Sequence, residues 1–360
     1  MYFDITPKTS RKDLFGFDKE CAEIERVLEQ QRLIVLRGLR RTGKTSLMNV
    51  VYSEIKHPKL FIDSREIAKG RKAVYEHIGR TFYDFLRSIS MYEKAKSYLE
   101  GLDIYVKLSF REEKGLSELA KRIDKMMEDR NDFFCLFIDE VQLLKPSGFD
   151  RFLAFIYDRL KRIKIILAGS EIGILDKFIG SEIGSLLYGR PKKVINLRRL
   201  ERKDSITFLR TGFAQLKINI RENEIETAVD KLDGVIGWLT YYGFYRQELF
   251  HEVALSKTLK DSSKIIAAEL KEFLNMRIAA KERYLFILAS LSQEPLSWNE
   301  IKNFIIAKSG QPIPDSRLSN LLDQLQEYGF IEEKGGKYNL GDPIIKEALK
   351  FSAVRRDQGL

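Results

Sequence analysis

The stretch Arg32-Leu-Ile-Val-Leu-Arg37-Gly38-Leu39-Arg40-Arg41-Thr42-Gly43-Lys44-Thr45-Ser46 decides the fold class. Its first six residues form a short apolar, β-branched run, which reads as a buried strand. A complete G-x-x-x-x-G-K-[ST] follows, and Thr45–Ile55 then takes up helical spacing. Strand, glycine-bearing loop and helix in that order turn successive backbone N–H groups inward on phosphate oxygens. The positive end of the helix lies behind them. The ligand that suits such a cradle is a nucleotide. Lys44 is expected to bridge its terminal phosphates, and the Thr45 hydroxyl to hold Mg²⁺. Gly38, Leu39, Arg40, Arg41, Thr42, Gly43 and Ser46 complete the expected binding loop.

Outward from that stretch, short apolar runs alternate with amphipathic segments, the pattern of a parallel sheet between helices. Strands are expected at Arg32–Arg37, Leu60–Asp63, Phe133–Asp139, Ile163–Gly169 and Val194–Leu197. Helices are expected at Thr45–Ile55, Ala73–Ser88, Leu116–Glu128 and Phe149–Leu160. The strand Phe133-Phe-Cys-Leu-Phe-Ile-Asp139 ends in an acidic pair, Asp139-Glu140. A carboxylate at the tip of a buried strand beside the phosphate loop is placed to orient Mg²⁺, which is the role expected of Asp139. Glu140 is expected to polarise a water for in-line attack on the γ-phosphorus. Ser170, at the tip of the neighbouring strand, reads either as a sensor of the γ-phosphate or as ordinary turn chemistry.

After Leu200 the strand signals stop. Asp204–Leu216 and Glu222–Leu232 read as helices, and Gly234–Tyr245 opens a third helical region, together a small lid. From about Lys281 an amphipathic helix precedes Ser297-Trp-Asn-Glu300, an S-x-x-E capping box. The helix Ser316–Tyr328 follows, and two short strands then flank a Lys-Gly-Gly turn, a hairpin signature. Three helices closed by a hairpin make a winged helix. The expected organisation is a nucleotide-binding αβα domain over 1–200, a helical lid over 201–280 and a winged-helix domain over 281–360.

Charge narrows the partners. The 360 residues carry a formal net charge of +10. From residue 281 onward, 11 Lys and Arg face 11 Asp and Glu, so the excess lies earlier. It is densest in Gly189-Arg190-Pro-Lys-Lys-Val-Ile-Asn-Leu-Arg-Arg-Leu-Glu-Arg-Lys203. No apolar run is long enough to span a bilayer, and no secretory signal is legible, so a cytoplasmic protein without a membrane partner is expected. His57, His77 and His251 share no metal-ligand spacing.

Asp139-Glu140 directly after a strand, with a polar-tipped strand to follow, resembles the AAA+/STAND branch of P-loop NTPases. More closely the chain resembles the archaeal ATPase family of that branch. The resembling residues run from Asp13-Leu-Phe15-Gly16-Phe-Asp-Lys-Glu20 through the P-loop and Phe-Ile-Asp139-Glu140-Val-Gln142. They continue with Gly169-Ser170, Leu187-Tyr-Gly-Arg190, Gly234-Val-Ile236-Gly-Trp238 and the C-terminal Gly-Asp342-Pro343. The resemblance implies ATP and ADP as ligands and ATP hydrolysis as the activity. It implies that Phe15-Gly16 lies on the adenine side, although Phe15 also reads as a staple for the helix beginning at Asp18. Phe17 stands where the family carries arginine, and Ile236 where it carries proline. Trp238, Tyr241, Tyr242 and Tyr245 read as lid core. Arg190 matches the family's arginine after the sensor strand, read either as a catalytic finger, in cis or in trans, or as a surface residue.

Two functions follow. One is an ATP-hydrolysing conformational switch, with a homo-oligomeric state or a protein client left open. The alternative is an ATP-regulated DNA-binding factor resembling AAA+ replication initiators. The helix Ser316–Tyr328 sets Arg317 against Asp323 and Glu327, a poor supply of phosphate neutralisation, which ranks DNA lower. Any nucleic-acid contact is expected at Arg190–Lys203 instead. A small-molecule kinase is disfavoured by the acidic pair and the winged-helix tail.

Overall fold

The computed structural model describes residues 1–92, 113–180 and 185–351. Parts of the first and last expected domains, residues 93–112, 181–184 and 352–360, lie outside the described residues. Five parallel strands form one sheet: β1 (Leu33–Arg37), β2 (Lys59–Asp63), β3 (Phe134–Asp139), β4 (Ile163–Gly169) and β5 (Lys193–Asn196), in the order β2-β3-β4-β1-β5. They agree with the five strands read from the sequence to within one residue at each end. The buried strands alternate their side chains between two layers, as a period of two requires. Leu33, Val35, Leu136, Ile138, Ile165 and Leu167 face one apolar layer. Ile34, Leu36, Cys135, Phe137, Ile166 and Ala168 face the other.

Helices α1 (Asp18–Leu28) and α2 (Lys44–Glu54) cover the second face. Helices α3 (Arg71–Tyr92), α4 (Glu113–Asp129), α5 (Phe149–Arg159) and α6 (Ile172–Ile179) cover the first. Parallel register lines the strand tips along one edge. Asp63 pairs with Asp139, Ile138 with Leu167, and Arg37 with both Gly169 and Asn196. Because β4 lies between β1 and β3, the loop after β1, the acidic tip of β3 and the polar tip of β4 share one crevice.

The lid consists of α7 (Arg202–Gln215), α8 (Glu222–Leu232), α9 (Ile236–Arg246) and α10 (His251–Asn275). The last, 25 residues long, is absent from the sequence reading. Its inward face carries Thr258, Ser262 and Ser263, which dilute the apolar pattern. Thr258 and Ser262 are accommodated by donating their hydroxyls to carbonyls one turn back, at 2.8 and 2.5 Å.

The winged helix comprises α11 (Lys281–Leu291), β6 (Leu296–Ser297), α12 (Trp298–Ser309), α13 (Asp315–Glu327), the hairpin β7 (Ile331–Lys334) and β8 (Lys337–Leu340), and α14 (Ile344–Phe351). The capping box forms: Ser297 N–H donates to Glu300 at 2.7 Å, and Ser297 accepts from the Glu300 backbone. Gly335 and Gly336 join the hairpin strands, both at positive φ (+59° and +77°), which a two-residue turn of this hand demands.

Two packing features cross the expected domain limits. Phe3 is buried among Phe208 and Phe213 of α7, so the first residues pack with the lid and not with the sheet. The lid and the winged helix share one continuous apolar core, from Phe208 to Ala348, with α14 lying along α10. Among the described residues no helix is long and apolar enough to cross a membrane.

Candidate functional site

The loop after β1 owes its shape to its glycines. A Cβ on Gly38 would lie 2.5 Å from the Leu197 carbonyl, and Gly43 takes φ +92° with the Phe17 ring 3.0 Å from where its Cβ would be. Lys44 begins α2 and is buried; its ammonium donates to the Gly38 and Leu39 carbonyls at 2.8 and 2.6 Å. Burial lowers the Lys44 pKa to about 8, against the opposing pull of Glu140 and Asp139. Thr42 donates back to the Leu39 carbonyl at 2.8 Å, and Ser46 accepts from the Lys8 backbone at 3.0 Å.

Thr45 Oγ1 donates to Asp139 Oδ2 at 2.7 Å. The Asp139 carboxyl has no solvent-exposed surface, and burial followed by the charge of Glu140 raises its pKa. A hydroxyl and a buried carboxylate in contact form the oxygen pair that a hard divalent cation takes, so the residues fit Mg²⁺. Among the described residues no cluster of three or more His, Cys, Asp or Glu offers an alternative metal site.

Glu140 leaves β3 at φ +48°. Its Oε2 accepts from Ser170 Oγ at 2.7 Å and from the Gln142 amide, which places Ser170 as a support of the glutamate. Gln142 approaches closely because residue 169 is glycine: a Cβ there would stand 2.6 Å from Gln142 Oε1.

These groups open on a cavity of about 520 Å³ between sheet and lid, within the range of small-molecule sites. Lys44, Thr45, Ser46, Glu140 and Ser170 line it together with Tyr2, Phe15, Phe208, Ile236 and Tyr241. Phe15 meets Tyr2 and Phe208 edge-on at 5.5 and 5.3 Å, while Gly16 turns the chain at φ +78°. Aromatic side chains and phosphate-binding groups in one cavity suit a base joined to a polyphosphate.

Three expected binding residues have side-chain partners outside the phosphate loop. Leu39 reaches Gly329 of the winged helix. Arg40 pairs with Glu171 at 2.7 Å, and Arg41 with Glu269 of α10 at 2.5 Å. The Arg41 guanidinium also lies 4.4 Å from the Trp238 ring and 3.9 Å from Asp342. Arg40 and Arg41 nonetheless line the cavity together with their partners Glu171 and Glu269, whereas Leu39 does not. Trp238 and Tyr242 are lid core, as read, but the Trp238 indole N–H also donates to buried Asp342 at 3.0 Å.

Arg190 is not gathered with the rest. It precedes β5, at the sheet end opposite the cradle, and its guanidinium holds Asp158 near the C-terminus of α5. In this arrangement its guanidinium does not reach the cradle of its own chain. The basic run around it is largely spent: Lys193 pairs with Glu23, Arg199 with Asp233 and Arg202 with Asp230. Among the described residues, four of the seven cations expected to make a nucleic-acid contact there are thus paired with carboxylates. The roles of Arg65, Glu171, Glu269 and Asp342 escaped the sequence reading, because each depends on a partner more than 70 residues away.

A family described as an ATPase domain predominantly from Archaea matches residues 17–241. The C-terminal winged helix-turn-helix domain of MCM proteins matches residues 279–340. A Walker-type ATPase of Pyrococcus abyssi is 31% identical, with a TM-score of 0.82 over 98% of this chain and 100% of that one. The ORC2 protein of Aeropyrum pernix, in its ADPNP–ADP complexes, is 14% identical, with a TM-score of 0.62 over 100% of this chain and 98% of that one. Its ADP form is 13% identical, with a TM-score of 0.57 over 97% of each chain. No curated protein matches.

Proposed function

Because the chain belongs to the family of ATPase domains found predominantly in Archaea, we propose that it hydrolyses ATP as a conformational switch, moving the lid and winged helix together against the sheet. The observation that carries this reading is Arg41. Inside the phosphate loop, its carbonyl accepts from the Gly237 amide of the lid at 3.1 Å, while its side chain holds Trp238, Glu269 and Asp342. A loop that must wrap a triphosphate is therefore tied to both C-terminal units at one residue. Since those units share a core, they respond as one body.

Within the site, the backbone of residues 38–45 and the Lys44 ammonium bind and orient the phosphates. Thr45 and Asp139 would hold Mg²⁺, which supplies neutralisation of phosphate charge when bound. Glu140 orients a water and accepts its proton, held in place by Ser170 and Gln142. Tyr2, Phe15, Phe208 and Tyr241 face the base. Arg190 retains a catalytic role only towards a neighbouring copy. For DNA, the pairing of the basic run and the packing of α13 onto α6 through Glu327 and Lys177 weigh against the wing as a reader.

Phosphate release by wild type and Glu140→Gln tests the assignment. The variant is expected to bind ATP as wild type does and to turn over about a hundredfold more slowly. Unchanged turnover removes Glu140 from its role. A probe distance between sheet and wing that ignores nucleotide refutes the switch.

A further inference from the structure

We propose that Arg65 is a further catalytic residue, a cis arginine that recognises the γ-phosphate of the bound triphosphate. This rests on the ATP reading of the site. The residue leaves no trace in the motif, since it lies beyond β2, at the far side of β3 from the phosphate loop. Register brings it in: Asp63, the last residue of β2, pairs with Asp139. A single 3-10 turn, Ser64–Glu66, follows. Asp63 accepts from the Arg65 backbone at 2.9 Å and takes its guanidinium through Nε and Nη2 at 2.8 and 2.6 Å. The planar group is thus held along the strand tips, facing the crevice.

Arg65 Nη2 lies 3.5 Å from Asp139 Oδ2, the oxygen that accepts from the Thr45 hydroxyl at 2.7 Å. Two short steps therefore separate the guanidinium from the phosphate loop. Arg40 and Arg41 pair with Glu171, Glu269 and Asp342 as Arg65 pairs with Asp63, but Arg65 is the one of the three that also reaches Asp139. The Arg65 side chain is 50% exposed and lines both the 520 Å³ nucleotide cavity and the larger cleft under the winged helix, so it has room to swing.

Chemistry supplies the direction of that swing. Asp139 Oδ2 is also the oxygen that fits a divalent cation, and it cannot serve that cation and a guanidinium equally. A terminal phosphate in the shared cavity would offer the guanidinium a group of higher negative charge than Asp63, and its pairs of oxygens match the arginine fork. A diphosphate lacks that group. Arg65 therefore distinguishes triphosphate from diphosphate and stabilises the charge that develops on the transferred group.

The test is equilibrium titration of wild type, Arg65→Gln, Arg65→Lys and Asp63→Asn with fluorescent ADP and a fluorescent non-hydrolysable ATP analogue, each with Mg²⁺ and with EDTA. Arg65→Gln is expected to keep ADP affinity within about twofold and to lose about tenfold or more for the triphosphate. Arg65→Lys is expected to recover part of that loss. Asp63→Asn keeps the guanidinium but loosens its anchor, and is expected to retain the preference for triphosphate. Equal losses for both nucleotides in Arg65→Gln, or no loss, overturn the proposal. So does a loss of preference in Asp63→Asn equal to that in Arg65→Gln, which would assign the effect to the ion pair. Unaltered ADP binding serves as the folding control. Wild type that binds neither nucleotide overturns the ATP reading itself, an outcome visible before any Arg65 variant is compared.

Discussion

At the scale of single residues, the site is a set of charges whose burial gives each a consequence. Lys44 is the plainest. Its ammonium donates to the Gly38 and Leu39 carbonyls, and burial lowers its pKa to about 8. A triphosphate beside it favours the charged form and raises that value, so binding takes up a proton once the free lysine has begun to lose its own. ATP affinity is therefore fully present below the free pKa and falls as pH rises through it. Titration calorimetry one unit either side, in buffers of different ionisation enthalpy, checks both parts: proton uptake on the alkaline side and none on the acidic side. Glu140 is held differently. Its left-handed backbone and its contacts with Ser170 and Gln142 fix a carboxylate that would otherwise rotate freely at a strand end.

Elements meet through exchanges of bulk and space. Phe3 enters the lid where Gly212 of α7 and Gly243 of α9 leave no side chain in its way, and it packs on Phe208 and Phe213. The neighbouring Tyr2 stacks on Phe208 at 5.5 Å and lines the nucleotide cavity. The N-terminal segment thus works as a part of the lid and also forms a wall of the binding site. Phe3→Ala empties a buried aromatic position and is expected to cost about 3–5 kcal/mol, read from urea unfolding. It is also expected to weaken nucleotide binding through Tyr2. A loss within experimental error would show that the segment only rests on the lid.

For the whole molecule, the question is how an event at a phosphate is felt by the winged helix. The continuous core from Phe208 to Ala348 makes the lid and wing one lever, and Arg41 joins that lever to the phosphate loop. Arg199 adds a second strut, donating to the Gly341 carbonyl at 2.9 Å while pairing with Asp233 of the lid. Arg41→Ala is expected to leave nucleotide binding within about tenfold of wild type, since charged contacts across a partly exposed joint are worth little each. It is expected to abolish the nucleotide-dependent change in distance between fluorophores on α5 and the wing. A variant whose wing still responds would move the coupling to another contact.

The amino-acid sequence determined the layers by itself. Strand, loop and helix around Gly38–Thr45, the acidic tip of β3 and the Gly-Gly hairpin are local statements, written in periods of two and 3.6 and in residues that tolerate only certain backbone angles. The helix His251–Asn275 escaped because its inward face mixes Ser and Thr with the apolar residues, so that burial and pattern disagree. Tertiary structure alone decided which charges face which. Arg41 reached the winged helix and Arg190 went to the opposite end of the sheet, although both read as arginines of a phosphate site, and Arg65, which no motif marked, reached Asp139. The physical reason is that an ion pair depends on distance in space, and a parallel sheet whose strand order differs from chain order brings together residues that the sequence keeps far apart.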